Sequence, residues 1–159
     1  METDTQPILN AHNKAEHEES HSCEHILNGT MVKMFGCPRS KNAHIERKKS
    51  KSDYLLDNAP TAEQVAAVEA KVNEEIAKNH DVTVEFMSRE EARKIVDLSK
   101  LPEDASETLR IVRIGDYDAC ACIGAHVSNT SEIGTFKIIS HSFADGMWRL
   151  RWKIIKKPE

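Results

Sequence analysis

Two short segments of the chain carry side chains that are typical metal ligands. His21 and His25 are four residues apart in a predicted helix, so that both imidazoles lie on one face and converge. Far downstream, Cys122 and His126 offer a thiolate and a third imidazole, with Gly124 allowing the backbone to turn between them. A mixed nitrogen and sulfur set suits Zn²⁺ and disfavours Mg²⁺ and Ca²⁺. The sequence therefore predicts a zinc site formed by these four side chains.

Other thiols and imidazoles leave part of this ligand set open. Cys120 lies two residues before Cys122 and is the alternative thiolate ligand; otherwise it is expected to be a loop thiol. We expect Cys23 to be a buried thiol and His17, one turn before the first ligand, to lie at the surface. If all four predicted ligands bind at once the site is closed, whereas catalysis needs an exchangeable position. His126 ends its loop and is the ligand that we expect to be loosest.

The same helix also matches a pattern found in inverted zinc peptidases. In the pattern His21-x-x-Glu24-His25 the glutamate would act as a general base. That chemistry needs a distal carboxylate ligand and a peptide-sized cleft, and neither the length of the chain nor its Cys/His pair indicates them. We therefore expect Glu24 to be a solvated residue, with a supporting role behind the ligands as the alternative.

Three helices are predicted to position these residues. The first covers residues 16–35 and contains the histidine pair. The second, over 61–79, has the clearest signal, because Thr61 and Gln64 form a capping box and apolar residues repeat along one face. A second capping box opens a short third helix over 88–96.

The remaining regular structure is predicted to be strands joined mainly by hairpins. Alternation of apolar and polar residues predicts strands at 82–86, 109–114, 136–142 and 147–155, and a weakly signalled hairpin around 43–56. Residues 116–130 are predicted to be irregular. Helices mixed with hairpin-connected strands indicate an α+β fold, with a mostly antiparallel sheet packed with two main helices and a short third.

The composition is that of a globular domain. The chain has 159 residues, 39% of them hydrophobic and 30% charged, which is enough for one domain to bury a core without disulfides. We expect the four cysteines to be thiols or metal ligands. No apolar run approaches the roughly 18 residues of a membrane span. Residues 1–15 are predicted to be disordered or extended, and they carry no secretory signal. We expect a soluble, cytoplasmic protein without membrane contact.

The two ligand segments and their flanks resemble the editing domain shared by alanyl- and threonyl-tRNA synthetases, the second additional domain. The resemblance rests on His-Ser-Cys-Glu-His-Ile-Leu at 21–27 and on segment 113–138, in which the Cys/His loop is followed by Ser131-Glu-Ile-Gly134. The resemblance covers nearly the whole chain. The chain is similar in particular to the freestanding alanyl-tRNA editing proteins of the short AlaX type. It implies one editing domain over residues 16–159, with no aminoacylation domain and no ATP site.

The resemblance also implies an activity and a set of ligands. In this family zinc is held at the positions of His21, His25, Cys122 and His126. The domain hydrolyses the ester that links a wrong amino acid, most typically serine, to the 3′ end of tRNA(Ala). The chain is therefore expected to be an aminoacyl-tRNA deacylase, a carboxylic ester hydrolase and not a ligase, which binds the acceptor end of a mischarged tRNA.

The sequence departs from the family pattern at two places. The usual Cys-Gly-Gly-Thr-His is Cys-Ile-Gly-Ala-His here, so the loop is bulkier at Ile123 and lacks a hydroxyl at Ala125. Segment 40–44 falls where relatives place a Gln or Thr that reads the substrate side chain, and Lys41 and Asn42 are our candidates for substrate binding. The changed loop motivates an alternative function, a non-catalytic zinc-stabilised module that binds tRNA.

The net charge of −4 conceals an uneven distribution. Residues 33–51 contain seven Lys and Arg against one Glu, and residues 147–159 contain five more basic residues. Residues 63–107 contain twelve acidic residues against six basic ones. Together with the resemblance, the basic segments are expected to contact tRNA phosphates.

Overall fold

The computed structural model describes residues 17–40, 42–46, 49–96 and 107–156. In chain order the elements are α1 (Glu18–Phe35), β1 (Asn42–His44), β2 (Ser50–Leu55), α2 (Ala62–Ala77), β3 (Val82–Ser88), α3 (Arg89–Ala92), β4 (Thr108–Ile114), β5 (Asp118–Ala121), a 3-10 turn (Thr130–Glu132), β6 (Thr135–Ala144) and β7 (Met147–Ile155). The predictions for residues 1–15, for Lys41 and for the side chain of Asn42 lie outside the described residues.

The central part of α1 is buried on all sides. Every residue from Ser20 to Met31 is buried, although many of these side chains are polar. Glu18 and Glu19 lie in the first turn, where carboxylates interact favourably with the helix dipole. The helix ends at Gly36, whose φ of 68° is left-handed and whose N–H donates to the Val32 carbonyl. The buried polar side chains of α1 therefore need partners on other elements.

α2 begins with the predicted capping box. Thr61 Oγ1 accepts the Gln64 N–H at 3.1 Å, and Gln64 Oε1 accepts the Thr61 N–H at 2.8 Å. The apolar stripe is buried as predicted, at Val68, Val72 and Ile76. α2 packs against α1 and β6. None of the described helices is long and apolar enough to cross a membrane.

Four strands form an antiparallel sheet in the order β1-β2-β7-β6. Its inner face contributes large side chains to the main core, namely Tyr54, Phe136, Trp148, Leu150 and Trp152. Its outer face carries the basic residues that the sequence predicts for the last strand. Lys51 is the cross-strand partner of Arg151, and Lys137 is the partner of Lys153.

Three further strands form a second antiparallel sheet in the order β3-β4-β5. On one face, Leu109 and Ile111 pack with Ala92 of α3 in a small core. On the other face, Ile114 belongs to the main core that includes α1. This sheet therefore joins α3 to the centre of the molecule.

The predicted α+β class is confirmed, with the strands divided between two sheets. The prediction that residues 116–130 are irregular is wrong for Asp118–Ala121, which form β5. This strand has only four residues, of which Asp118 is buried and the other three are half-buried, so it lacks the alternation of a local strand signal. It forms because it pairs with β4. The short third helix is α-helical only at Arg89–Ala92.

Candidate metal centre

The four predicted ligands meet at one place in the fold. α1 supplies His21 and His25, and the loop after β5 supplies Cys122 and His126. One ligand atom from each residue lies within 4.8 Å of every other. Cys122 Sγ is 3.4 Å from His21 Nε2 and 3.6 Å from His126 Nε2. The two α1 histidines are buried and the two loop ligands are half-buried, so the loop side of the centre is the more exposed one.

The spacing and chemistry of these donors fit a tetrahedral metal ion. With metal–ligand distances of about 2.0–2.1 Å to nitrogen and about 2.3 Å to sulfur, tetrahedral N and S ligands are about 3.6 Å apart. The two sulfur–nitrogen distances, 3.4 and 3.6 Å, agree with this value. Three imidazoles and one thiol are ligands typical of transition metals and not of Mg²⁺ or Ca²⁺. The group can therefore hold a metal ion.

Hydrogen bonds orient two of the imidazoles. His21 Nδ1–H donates to the Ala125 carbonyl at 3.2 Å, and because a carbonyl only accepts, Nε2 keeps its lone pair for a metal. His126 Nδ1 lies 2.9 Å from Ser22 Oγ, which also accepts the Val127 N–H at 3.1 Å. The first turns of α1 thus supply ligands and also hold the loop that carries the other two.

His25 is the most deeply buried of the four predicted ligands, and its pKa is shifted. Burial, followed by the nearby charges of His126 and Arg39, lowers the pKa of His25 well below its usual range. The imidazole is therefore neutral at pH 7, the form that binds metals. Its Nδ1 atom is buried and has no hydrogen-bond partner among the described residues. Asp118 Oδ2 lies 3.7 Å from it.

Asp118, which is buried, connects the candidate metal centre to an ion pair with the half-buried Arg39. Arg39 donates to it twice, from Nη1 to Oδ1 at 2.6 Å and from Nη2 to Oδ2 at 3.1 Å. Gly29 of α1 leaves room for the carboxylate, because a Cβ at this position would lie 2.9 Å from Asp118 Oδ1. Since Arg39 follows α1 and Asp118 begins β5, the ion pair holds β5 against the helix that carries the histidines.

Arg110 of β4 holds the loop with the other two ligands. Its Nη1 donates to the carbonyls of Cys122 at 2.7 Å and of Gly124 at 2.9 Å. The Gly124 N–H donates to Cys122 Sγ at 3.4 Å. Burial raises the pKa of the Cys122 thiol to about 12. A metal ion that binds here must therefore displace the thiol proton.

The other thiols and imidazoles of the sequence analysis lie outside the ligand group. Cys120 belongs to β5 and is not the loop thiol that was predicted; its Sγ donates to the Ala121 carbonyl at 3.5 Å. Cys23 is buried, as predicted. His17 is half-buried instead of lying at the surface, and its Nδ1 is 3.0 Å from Ser20 Oγ. Among the described residues, only the four predicted ligands group around one point.

Glu24 is buried, so the expectation of a solvated residue is wrong. Its Oε2 accepts a hydrogen bond from Asn28 Nδ2 at 3.0 Å, and the Tyr54 hydroxyl donates to Asn28 Oδ1 at 2.5 Å. The reason is that α1 is buried on all sides, so a residue turned away from the ligand face still meets protein.

Asp118, Arg39 and Arg110 support the centre, and the sequence alone does not predict this role. Arg39 belongs to the basic segment that we expect to meet phosphates, yet its guanidinium is paired with Asp118. One signal was available in Gly29, because a glycine inside a helix often marks a close approach of another group. The substrate-binding role of Lys41 and Asn42 stays a prediction.

Part of the chain matches a known protein family, and the chain is similar to several alanine–tRNA ligases. Residues 109–151 match the family described as threonyl and alanyl tRNA synthetase second additional domain. The chain is 34% identical over 134 residues to alanine–tRNA ligase 1 of Lachnoclostridium phytofermentans and 31% identical over 128 residues to alanine–tRNA ligase of Halorhodospira halophila. It is 33% identical over 122 residues to the alanine–tRNA ligase of Xanthomonas campestris pv. campestris.

These alignments cover 83%, 80% and 76% of the chain but only 15%, 15% and 14% of the respective ligases. The chain thus corresponds to a small part of each relative. The family match includes most of β4, all of β5 and β6, and the loop with Cys122 and His126. The segment 109–151, which contains two of the four predicted ligands, is therefore similar to the second additional domain of threonyl and alanyl tRNA synthetases.

Proposed function

We propose that this chain is a zinc-dependent hydrolase that removes a wrong amino acid, with serine as the expected one, from tRNA(Ala). The observation that carries the proposal is the convergence of His21, His25, Cys122 and His126 on one point. Two of these ligands lie in the segment that matches the second additional domain. Since the similar proteins are alanine–tRNA ligases, tRNA(Ala) is the tRNA that we expect.

The reaction suits a small site without ATP, because an aminoacyl ester is already activated. Zn²⁺ held by the four ligands would supply Lewis-acid chemistry, polarising the ester carbonyl or lowering the pKa of a water. Within the protein, His21 and His25 are fixed on a buried helix. His126 lies on the half-buried side and is the ligand that we expect to exchange when substrate enters.

We further propose that residues 16–159 act as one editing domain in trans, as in the freestanding proteins of the short AlaX type, and in the cytoplasm. Lys41 and Asn42 are proposed to contact the amino acid. Asn42 is the first residue of β1 and Lys41 comes before it in the sequence, and both fall in the segment that we expect to read the substrate. An Asn42→Ala substitution should therefore change the ratio of serine to alanine release more than it changes metal binding.

The basic residues expected to meet tRNA fall into two sets. Arg39 and Arg149 are paired with Asp118 and Asp53, the latter through two bonds of 2.9 Å. In the part of the chain that the structure describes, the outer face of the four-stranded sheet carries cations without a carboxylate within 4.0 Å: Lys51, Lys137, Arg151 and Lys153. The second set is the one that we propose for contact with tRNA phosphates.

A second candidate function is a non-catalytic zinc-stabilised module that binds tRNA. The four ligand atoms lie close enough to bind one ion together, which is the closed arrangement of a structural site. Ile123 and Ala125 also depart from the loop of the family. Such a module would bind the mischarged tRNA and leave its ester intact.

Incubation of the zinc-loaded protein with Ser-tRNA(Ala), Gly-tRNA(Ala) and Ala-tRNA(Ala) tests both candidates. A hydrolase should release serine much faster than alanine. Cys122→Ala should lose metal and activity together, whereas Cys120→Ala should keep both, because Cys120 lies outside the ligand group. If the protein contains one zinc per chain and releases no amino acid, the hydrolase is excluded, and tight binding of Ser-tRNA(Ala) would then support the module.

A further inference from the structure

One row of residues crosses the three-stranded sheet and ends at the metal centre. Phe86 of β3 is the cross-strand partner of Arg110 of β4. The Arg110 carbonyl accepts the Cys122 N–H at 3.0 Å, one step beyond the Ile111–Ala121 pair of β4 and β5. Cross-strand partners project to the same face of a sheet. Phe86, Arg110 and the ligand Cys122 therefore share one face.

The outer end of this row is an exposed apolar surface. Phe86 is 47% exposed, and Val84, two residues earlier on the same face of β3, is 43% exposed. The cross-strand partner of Val84 is Val112, which is fully buried. The core accounts for the inner part of this face but does not account for a large aromatic ring left in solvent at its edge.

Positive charge lies between the exposed ring and the ligand. Arg110 uses Nη1 for the carbonyls of Cys122 and Gly124. Its guanidinium has no carboxylate partner within 4.0 Å among the described residues. Apolar surface, cation and metal ligand thus follow one another along a single line.

We propose that this row binds the 3′-terminal nucleotide of the aminoacylated RNA, with its adenine stacked on Phe86 and Arg110 attracting its phosphate. The proposal rests on the proposed function for the identity of the ligand. Neighbouring strands are about 4.8 Å apart, so Phe86 lies about 10 Å from Cys122 across two strand spacings. In an aminoacyl-tRNA only the ribose separates the terminal base from the ester. A base on Phe86 would therefore leave the ester near the metal ligands.

Stacking can be measured without hydrolysis. An RNA hairpin with the tRNA(Ala) acceptor stem and 2-aminopurine as its 3′-terminal base reports stacking by fluorescence quenching. The zinc-loaded wild-type protein should quench this signal. Phe86→Ala should abolish the quenching and weaken binding by about 5- to 150-fold, the usual effect of losing one base–aromatic stack. Phe86→Tyr should restore both, because it keeps an aromatic ring.

Leu55→Ala is the matched control. Leu55 is 46% exposed on β2 of the other sheet, so its replacement by alanine removes a similar apolar surface at a place away from the row. It should leave quenching, affinity and the rate of serine release unchanged, whereas Phe86→Ala should raise the KM for Ser-tRNA(Ala). Zinc content and circular dichroism of the Phe86 variants should equal those of the wild type.

The outcomes separate this proposal from the proposed function. If Ser-tRNA(Ala) is hydrolysed and Phe86→Ala behaves like Leu55→Ala, the nucleotide site is wrong and the hydrolase stands. If no ester is hydrolysed but quenching depends on Phe86, the nucleotide site stands and the hydrolase does not. Absence of quenching by the wild type overturns the site. It is also overturned if Phe86→Ala converts a dimer to a monomer in sedimentation and leaves RNA affinity unchanged, because the surface then binds a second copy.

Discussion

Buried polar side chains along α1 are satisfied by partners, with one exception in the candidate metal centre. Ser22, Asn28 and Thr30 each have a hydrogen bond to another side chain. His25 Nδ1 has none among the described residues, and Asp118 Oδ2 lies 3.7 Å away. An unpaired buried nitrogen costs free energy. A metal on His25 Nε2 would leave a proton on Nδ1. After a shift of a fraction of an ångström, Nδ1–H could donate a hydrogen bond to Asp118 Oδ2.

Replacing Asp118 by Asn is expected to weaken zinc binding by about 10- to 100-fold, the usual effect of losing a partner behind a metal-binding histidine. The reason is that, with a metal on Nε2, the carboxylate would accept a hydrogen bond from Nδ1–H and so increase the basicity of the ligand. Competition with a chromophoric chelator measures the affinity, and the visible spectrum of the Co²⁺ form reports ligand geometry. Asp116→Asn, exposed in the preceding turn, is the control. If the two variants bind zinc with equal affinity, Asp118 does not support His25, and its role is limited to the ion pair with Arg39.

At the scale of elements, those with a local signal are predictable from the sequence. The capping box and the apolar stripe of α2 lie within a few turns, and the ligands on α1 share one helical face. β5 has no such signal, because its four residues form a strand only by pairing with β4. The pair of Arg39 and Asp118, 79 residues apart, depends on β5 and could not be predicted without it. The grouping of the four predicted ligands could therefore be predicted, whereas the residues that surround and orient them could not.

Near the end of α2 the buried carboxylate of Glu75 binds basic side chains around it. Glu75 accepts hydrogen bonds from Lys78 Nζ at 2.8 Å and from His80 Nε2 at 2.8 Å, and pairs with Lys71 Nζ at 2.9 Å. Burial alone raises the pKa of Glu75, but these hydrogen bonds outweigh it and lower the pKa to about 2. Because the pKa in the folded state lies below that of an unfolded glutamate, the ionised form stabilises the fold above about pH 4.5. This contribution is lost as the pH falls toward 2.

Glu75→Gln is therefore expected to lower the free energy of unfolding at pH 7 by about 1–3 kcal/mol. The difference from the wild type should shrink as the pH falls from 5 toward 2, since the wild type then loses the same charge. Urea unfolding at several pH values measures both effects. Glu74→Gln, at an exposed residue beside the same lysines, should change stability little at any pH. A deficit of Glu75→Gln that is equal at every pH would assign the effect to packing and not to charge.

At the scale of the whole molecule, the metal centre joins distant parts of the chain. His21 and Cys122 are 101 residues apart in sequence. The first lies on the helix at the centre of the main core, and the second follows a strand of the three-stranded sheet. Binding free energy at such a site adds to the stability of the folded state, because the unfolded chain does not hold the ligands together.

Removal of zinc should consequently lower the melting temperature. At free zinc about 1,000-fold above the dissociation constant the ion contributes about 4 kcal/mol, which for a chain of this length corresponds to about 8–16 °C. Calorimetry with and without a chelator measures the shift. Cys122→Ala should melt near the chelated wild type and be insensitive to chelator, whereas Cys120→Ala should respond like the wild type. A melting temperature of the wild type that does not change on chelation would contradict a link between the ion and the fold.

The outer face of the four-stranded sheet places like charges directly opposite each other. Lys137 is the cross-strand partner of Lys153, and Lys51 is the partner of Arg151. Opposed like charges destabilise a sheet. Arg149 on the same strand avoids this cost by pairing with Asp53. A chain with a net charge of −4 has acidic residues available, yet among the described residues these cations have no carboxylate within 4.0 Å, which supports the proposal that this face contacts an anionic partner.

Lys153→Glu should therefore have opposite effects on stability and on RNA binding. It replaces a repulsive pair with an attractive one across β6 and β7, which should raise the free energy of unfolding by about 0.5 kcal/mol. It should also weaken binding of the tRNA(Ala) acceptor stem and reduce the salt dependence of that binding by about one unit of slope, because one phosphate contact is lost. Lys94→Glu makes the same change of net charge at an exposed residue after α3. If the two variants weaken RNA binding equally, net charge and not this face attracts the RNA; if neither does, the basic face has no part in binding and its repulsive pairs lack an explanation.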